Sequence, residues 1–158
     1  HRVDRRQRQM CIRDSVYIER AYSERSGMQV VRAIGARAPL HLTSVGKLFL
    51  AADEPQRVRA YANRTGLPGQ THNSITQFAT LERELSKARQ YGTARDNEEL
   101  ELGVRCIAAG IYDDQHRLIA GLSISAPADR LEEKWLAQLQ HTAETISRAL
   151  GHESGEAA

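Results

Sequence analysis

Ser123 and Ser125 stand two residues apart in the run 118–127 (LIAGLSISAP), with apolar residues at Leu122 and Ile124. A β-strand turns alternate side chains to opposite faces. Leu118, Ala120, Leu122 and Ile124 are therefore expected on one face, and Ile119, Gly121, Ser123 and Ser125 on the other. The second face is small and hydroxylated, as the wall of a pocket for a small polar ligand would be. Small residues also accommodate a helix packed close to a sheet, which would explain the same face without any ligand. Cys106, on the preceding strand, adds a thiol if the hairpin register turns it the same way, because directly opposed residues share a face. A two-residue loop at Asp114-Gln115 opposes Cys106 to Ser123, and one at Gln115-His116 opposes it to Ser125. A three-residue loop turns the thiol away. Neither dipeptide is a favoured type I′ turn, so the expectation of an even loop rests on the hydroxyl face itself.

Other residues invite chemical readings of their own. Free backbone N–H groups around Ser44, Val45 and Gly46, where a helix should begin, offer a cradle for a carboxylate. An ordinary capped helix end would look the same. Gly46-Lys47 is not a phosphate-binding loop, since His41 stands where that motif needs glycine and Leu48 where it needs a hydroxyl. The six histidines show no metal-ligand spacing. His41, Asp96 and Cys106 would have to meet in space to hold zinc, and no metal or other cofactor is expected. Cys106 as a nucleophile would need a base and a depressed pKa, whereas a buried strand cysteine usually serves as a small apolar residue. The acidic run Asp96, Glu98, Glu99 and Glu101 reads as a solvated turn. One member turned inward would accept a hydrogen bond from a ligand hydroxyl.

The elements that position these residues can be read from patterning. The 158 residues fit one domain, with an ordinary apolar fraction of 41% and charged fraction of 27%. No run is long and apolar enough to span a membrane, and two cysteines make no disulfide framework, so a cytoplasmic protein is expected. The pI of 8.7 misleads. Residues 1–15 carry five arginines and two aspartates, leaving residues 16–158 near neutrality at −1 and without a basic face suited to phosphates. That first segment is read as disordered or non-native rather than as a nucleic-acid arm. Residues 153–158 are read as a frayed tail.

Between them, 16–22 and 28–34 predict a strand pair, and 35–39 a break in the sheet. A short helix over 44–52 is opened by Thr43. A second helix, capped by Asp53 with Pro55 in its first turn, runs to about Thr65. Leu81, Leu85, Ala88 and Tyr91 predict a helix over 80–92. After the hairpin, Asp129 and Glu132 predict the start of a long helix with Leu131, Trp135, Leu139, Ile146 and Leu150 as its apolar stripe. The plan is α+β: a GAF-like antiparallel sheet with helices packed mainly on one face, the other left free to cup a ligand.

Three strings, ARAPLHLTSVGKLFLA (36–51), ARDNEELELGVRCIAAGIYD (94–113) and GLSISAP (121–127), stand in an order and spacing that resembles the C-terminal effector-binding domain of IclR-family bacterial transcription regulators. The resemblance covers roughly residues 16–152. It implies a small-molecule effector, a small organic acid, and no catalytic residues. It also implies a homo-oligomer, dimer or tetramer, and DNA binding only through an N-terminal winged helix-turn-helix. No such domain fits in the 15 residues ahead of the domain, so this chain alone is expected not to bind DNA specifically. The family's ligand contacts fall on Ser44, Val45, Asp96, Cys106, Ser123 and Ser125, and its pocket-shaping positions on Val30, Ala38 and Val104. Many relatives carry a Gly-Ala-like pair where this chain has Ser44-Val45, which narrows the pocket or adds a hydroxyl. Two readings from other classes compete with the regulator: a GAF-fold redox enzyme working through Cys106, and a purely structural dimerisation module.

Overall fold

The computed structural model describes residues 14–18 and 35–153. A short strand β1 (Asp14–Val16) pairs antiparallel with β2 (Arg37–Pro39). A 3-10 turn (Leu40–Leu42) leads into α1 (Ser44–Ala52), followed by α2 (Pro55–Thr65) and α3 (Phe78–Tyr91). Strands β3 (Thr93–Asn97), β4 (Val104–Tyr112) and β5 (Leu118–Pro127) then form an antiparallel sheet in that order, and α4 (Trp135–Ala149) closes the chain.

Most of the helical punctuation follows the sequence. Thr43 caps α1, its Oγ1 accepting from Gly46 N–H at 3.1 Å and donating to Pro39 O at 3.2 Å. Gly66 and Gly92 end α2 and α3 in the left-handed region, at φ 69° and 67°, a conformation a Cβ would oppose. Three expectations need correction. Residues 37–39 do not break the sheet but form β2, because Arg37–Pro39 pairs with a strand beginning at Asp14. Asp53 is the C-cap of α1; Glu54 stands at the N-cap of α2, its N–H bonded to Asp53 Oδ1. The last helix starts at Trp135 rather than near Asp129, because Arg130 and Leu131 donate back to Pro127 O and hold that stretch as a turn. The predicted strands over 16–22 and 28–34 fall almost wholly outside the described residues.

β4 is the middle strand and buries both faces. Ile107, Ala109 and Ile111 pack with Ala120, Leu122 and Ile124 beneath Leu139 and Ala143 of α4. Ala108 belongs to the opposite core, with Leu48 and Leu50 of α1, Tyr61 of α2 and Leu81 and Leu85 of α3. Three helices thus gather on one face, as expected, but the other face is not free. It carries α4, because the alternating residues of β4 are apolar in both phases.

The hairpin reaches its register by an unexpected route. Asp113 and Arg117 close a three-residue loop, Asp113 N–H donating to Arg117 O at 3.0 Å, with His116 at φ 58°. Alone, that loop would turn Cys106 away from the serines. Ile119 is then left unpaired, since Tyr112 opposes Leu118 while Ile111 opposes Ala120. This one-residue bulge reverses the side-chain phase. Cys106 consequently opposes Ser125, and Ala108 opposes Ser123. The bulge also moves Leu118 off the face of Ala120, Leu122 and Ile124, where the sequence placed it, and into contact with the α1-side core.

Gly46 gives a test of packing against propensity. A Cβ there would lie 2.3 Å from Leu40 O and 2.5 Å from Leu40 Cα, both backbone atoms. Helix propensity alone favours alanine by roughly 1 kcal/mol, whereas forcing an atom into such a contact costs about 1–3 kcal/mol or more. Gly46→Ala is therefore expected to destabilise the chain in urea denaturation. A stabilised variant would show that α1 can move off Leu40.

Candidate functional site

Register places the residues singled out in the sequence in rows across the sheet. Asp96 of β3, Cys106 of β4 and Ser125 of β5 are directly opposed, and Ala94, Ala108 and Ser123 form the next row. Opposed residues share a face, so the carboxyl, the thiol and both hydroxyls lie on one side of the sheet. With strands about 4.8 Å apart, Asp96 and Ser125 are separated by roughly 10 Å. Cys106 Sγ lies 3.0 Å from Ser125 Oγ. Asp96 is buried, Cys106 half-buried, and Ser123 and Ser125 exposed among the described residues.

The start of α1 borders this face. Ser44 is buried and Val45 half-buried, and the Val45 side chain rests on Gly121, two residues before Ser123. The first N–H groups of a helix have no partner within it. Thr43 takes that of Gly46, which leaves those of Ser44 and Val45 directed past the helix end. Val104 shares the face of Cys106 one pair further along, opposite Pro127. Ala38 is fully buried, but on β2 of the separate two-stranded sheet. Val30 lies outside the described residues.

An ion pair that sequence reasoning missed lies behind the row. Lys47 Nζ donates to both carboxylate oxygens of Glu99 at 2.7 Å and to Arg95 O at 2.7 Å, with Lys47 only 1% exposed. Glu99 Oε2 also accepts from Asn97 N–H at 2.9 Å. The one legible signal was Lys47 itself, a single charge inside the apolar run 45–52. The acidic run is accordingly not a solvated turn throughout. Glu99 and Asp96 point inward, Thr71 Oγ1 and Ser74 Oγ each donate at 2.6 Å to the carbonyls of Glu98 and Glu99, and Glu98 sits at φ 58°.

Asp96 Oδ1 accepts from Glu99 N–H at 2.8 Å, closing the turn from within. Burial pushes its carboxyl up to about 6. The N–H of Glu99 works against that shift, the charge of Glu99 adds to it, and Lys47 opposes it. His41 has both ring nitrogens engaged: Nε2–H donates to Pro68 O at 3.0 Å, and Nδ1 accepts from Tyr61 O–H at 2.8 Å. Burial holds its pKa below the usual range. It is not available to Asp96 and Cys106 as a zinc ligand, and among the described residues no group of three His, Cys, Asp or Glu side chains is arranged to hold a metal. An open cleft of about 320 Å³ between α2 and α3, lined by Pro55, Arg59, Phe78 and Glu82, contains none of these residues. Arg59 lies 4.7 Å over the Phe78 ring there. Gln56, Ala60 and Asn63 complete the lining of the cleft.

The sequence profile described as "Bacterial transcriptional regulator IclR C-terminal" matches residues 9–150. This chain belongs to the IclR family. Among curated relatives it is similar to the HTH-type transcriptional repressor AllR of Escherichia coli K12, at 35% identity over 131 residues, 80% of this chain and 48% of the relative. It thus spans about half the length of the curated relatives it matches. Among solved structures it superposes on the Thermotoga maritima IclR with a TM-score of 0.80 at 35% identity, covering 89% of this chain and 58% of that one. It also superposes on the inducer-binding domain of PobR from Acinetobacter, a double mutant in complex with 3-hydroxybenzoic acid. There the TM-score is 0.76 at 27% identity, over 85% of this chain and 82% of that one. The GAF-like architecture expected from the sequence is that of these IclR C-terminal domains. Among the described residues no helix is long and apolar enough to cross a membrane.

Two measurements follow from the site's electrostatics. Because Asp96 holds its proton to higher pH when folded than when unfolded, its favourable contribution is complete below about pH 4 and is lost as pH rises through about 6. In Asp96→Asn that loss should vanish. Relative to the parent, the variant should gain stability between pH 4 and 7, on the order of 3 kcal/mol at full ionisation. A stability difference independent of pH would show that Asp96 titrates normally. Lys47→Met leaves Glu99 buried without its cation and should destabilise by about 3–5 kcal/mol in chemical denaturation. A change below about 1 kcal/mol would mean that water reaches Glu99.

Proposed function

We propose that this chain is the effector-binding part of a bacterial transcription regulator. A small carboxylic acid bound at the hydroxyl row would alter operator binding by a winged helix-turn-helix carried elsewhere in the full-length protein. The acid is held between the start of α1 and the sheet. One carboxylate oxygen accepts from the N–H groups of Ser44 and Val45, and the other accepts from Ser123 or Ser125. Cys106 and the remaining acceptor capacity of Asp96 meet a polar group at the ligand's far end. The chain works as a homo-oligomer in the cytoplasm, and the effector shifts DNA affinity only as far as it discriminates between two arrangements of that oligomer.

The observation that carries this reading is the alignment of Asp96, Cys106 and Ser125 in one row, with Ser123 beside them, on the face bordered by Val45. The family membership and the inducer complex of PobR support it from outside the chain. The magnitudes fit a metabolite sensor. Charge-assisted hydrogen bonds contribute about 1.5–3 kcal/mol each, and two or three of them, less the ordering cost, correspond to micromolar-to-millimolar dissociation constants.

Calorimetric titration with a panel of oxo-, hydroxy- and aromatic acids tests the proposal. The parent chain is expected to bind one or more of them, and the Ser123→Ala, Ser125→Ala double variant to bind at least about ten-fold more weakly. Equal binding by parent and variant would remove the hydroxyl row from the site.

A further inference from the structure

Among the described residues, the hydroxyl row carries one acid and no cation. Asp96 is 3% exposed and stands directly opposite Cys106, with Ser125 on the strand beyond. The charges around it come from few elements. From α1, Lys47 faces the acidic turn, but its ammonium donors go to Glu99 and to Arg95 O. From the turn, Glu99 adds a second buried carboxylate, and its N–H donates to Asp96 Oδ1 at 2.8 Å. The loop before α3 presents the Thr71 and Ser74 hydroxyls, both engaged with the carbonyls of the turn. β4 and β5 present the Cys106 thiol and the serine hydroxyls. Arg95 and Arg105 each stand one residue out of phase with the row and so lie on the opposite face, where Arg95 pairs with Glu133.

With Asp96 ionised, this buried cluster keeps one negative charge after Lys47 is set against Glu99. An acid bound in the row would bring a second, and no cation stands there to meet it. Like charges held together away from water repel far more strongly than in it. A buried carboxyl escapes that cost by taking a proton. Glu99 is tied to Lys47 through both of its oxygens, which leaves Asp96 to take the proton. Burial already pushes the Asp96 carboxyl up to about 6, so a proton is within reach at neutral pH. A protonated carboxyl keeps a lone pair for the Glu99 N–H and gains an O–H on its second oxygen. We propose that binding of an acid at the hydroxyl row draws a proton from solvent onto Asp96, so that the domain responds to acid and proton together and releases the acid as pH rises. This coupling presupposes that an acid binds at the row, and the experiment separates the two.

Pyruvate, lactate and 3-hydroxybenzoate, whose carboxyl groups stay ionised from about pH 5.5 to 8, are titrated calorimetrically into the parent chain and Asp96→Asn. Buffers of different ionisation enthalpy count the protons exchanged. Near pH 7 the parent should take up close to one proton per acid bound, and its affinity should fall by about ten-fold between pH 6 and 7.5. Asp96→Asn, whose amide offers a donor without titrating, should exchange no proton and hold one affinity across that range. An acid that binds the parent with no proton exchanged overturns the coupling and leaves the hydroxyl row standing, as does a variant that keeps the parent's pH profile. Binding that strengthens as pH rises overturns it too. If none of the three acids binds either protein, the acid-binding reading falls, and the coupling with it.

Discussion

A buried lysine sets how the first helix meets the sheet, and the surroundings of the hydroxyl row depend on it. Lys47 lies in the first half of α1, Glu99 in the turn after β3, 52 positions later, and both are almost wholly removed from water. Each charge alone would be prohibitively expensive there, so the two must stay together, and in a fixed direction. The third donor of the ammonium goes to Arg95 O, and a further lone pair of Glu99 to Asn97 N–H, so the pair grips the end of β3 as well as the turn. Net stabilisation by such a pair is small, because desolvation offsets most of the attraction. Its consequence is positional: α1 can occupy one depth and one rotation against the sheet. That placement sets Val45 on Gly121, two residues before Ser123.

The same pair explains the state of Asp96. Its carboxyl shares the turn with Glu99, takes the Glu99 N–H, and lies in the field of Lys47. The Asp96 carboxyl is thus a structural strut of the turn. Anything that draws on its lone pairs competes with the backbone geometry that fixes Glu99. The loop at Thr71 and Ser74 reinforces this through its hydroxyls on the Glu98 and Glu99 carbonyls. The acidic turn is therefore braced from α1, from β3 and from the loop before α3.

What was legible in the sequence follows from how far apart the interacting residues are. Ser123 and Ser125 could be placed on one face because a strand's period of two is a local property. The cap at Thr43 and the ends at Gly66 and Gly92 could be read for the same reason. β3 was missed because Thr93–Asn97 is short and polar, and its strand character comes from pairing with β4 rather than from alternation. The side of Cys106 was right, but the two-residue loop proposed for it was not. A three-residue loop and a bulge each shift the register by one, and the two shifts cancel in every pair beyond Ile119. The Lys47–Glu99 pair was illegible because nothing local distinguishes a glutamate that turns inward from its neighbours, the half-buried Glu98 and the exposed Glu101. The only clue lay at the other partner.

The arrangement of charge bears on what the site can bind, and how strongly. Lys47 is the buried cation nearest the row, and its three donors are all committed to protein acceptors. An anionic ligand there must be met by neutral donors: the N–H groups at the start of α1, the two serine hydroxyls and the thiol. Such donors orient a carboxylate well, but they provide no countercharge, and an ionised Asp96 beside them repels it. Affinity in the site proposed above would come from fit more than from charge neutralisation. The polar row would recognise acids as a class, and the ion pair that orders α1, already satisfied within the protein, would stay outside that exchange.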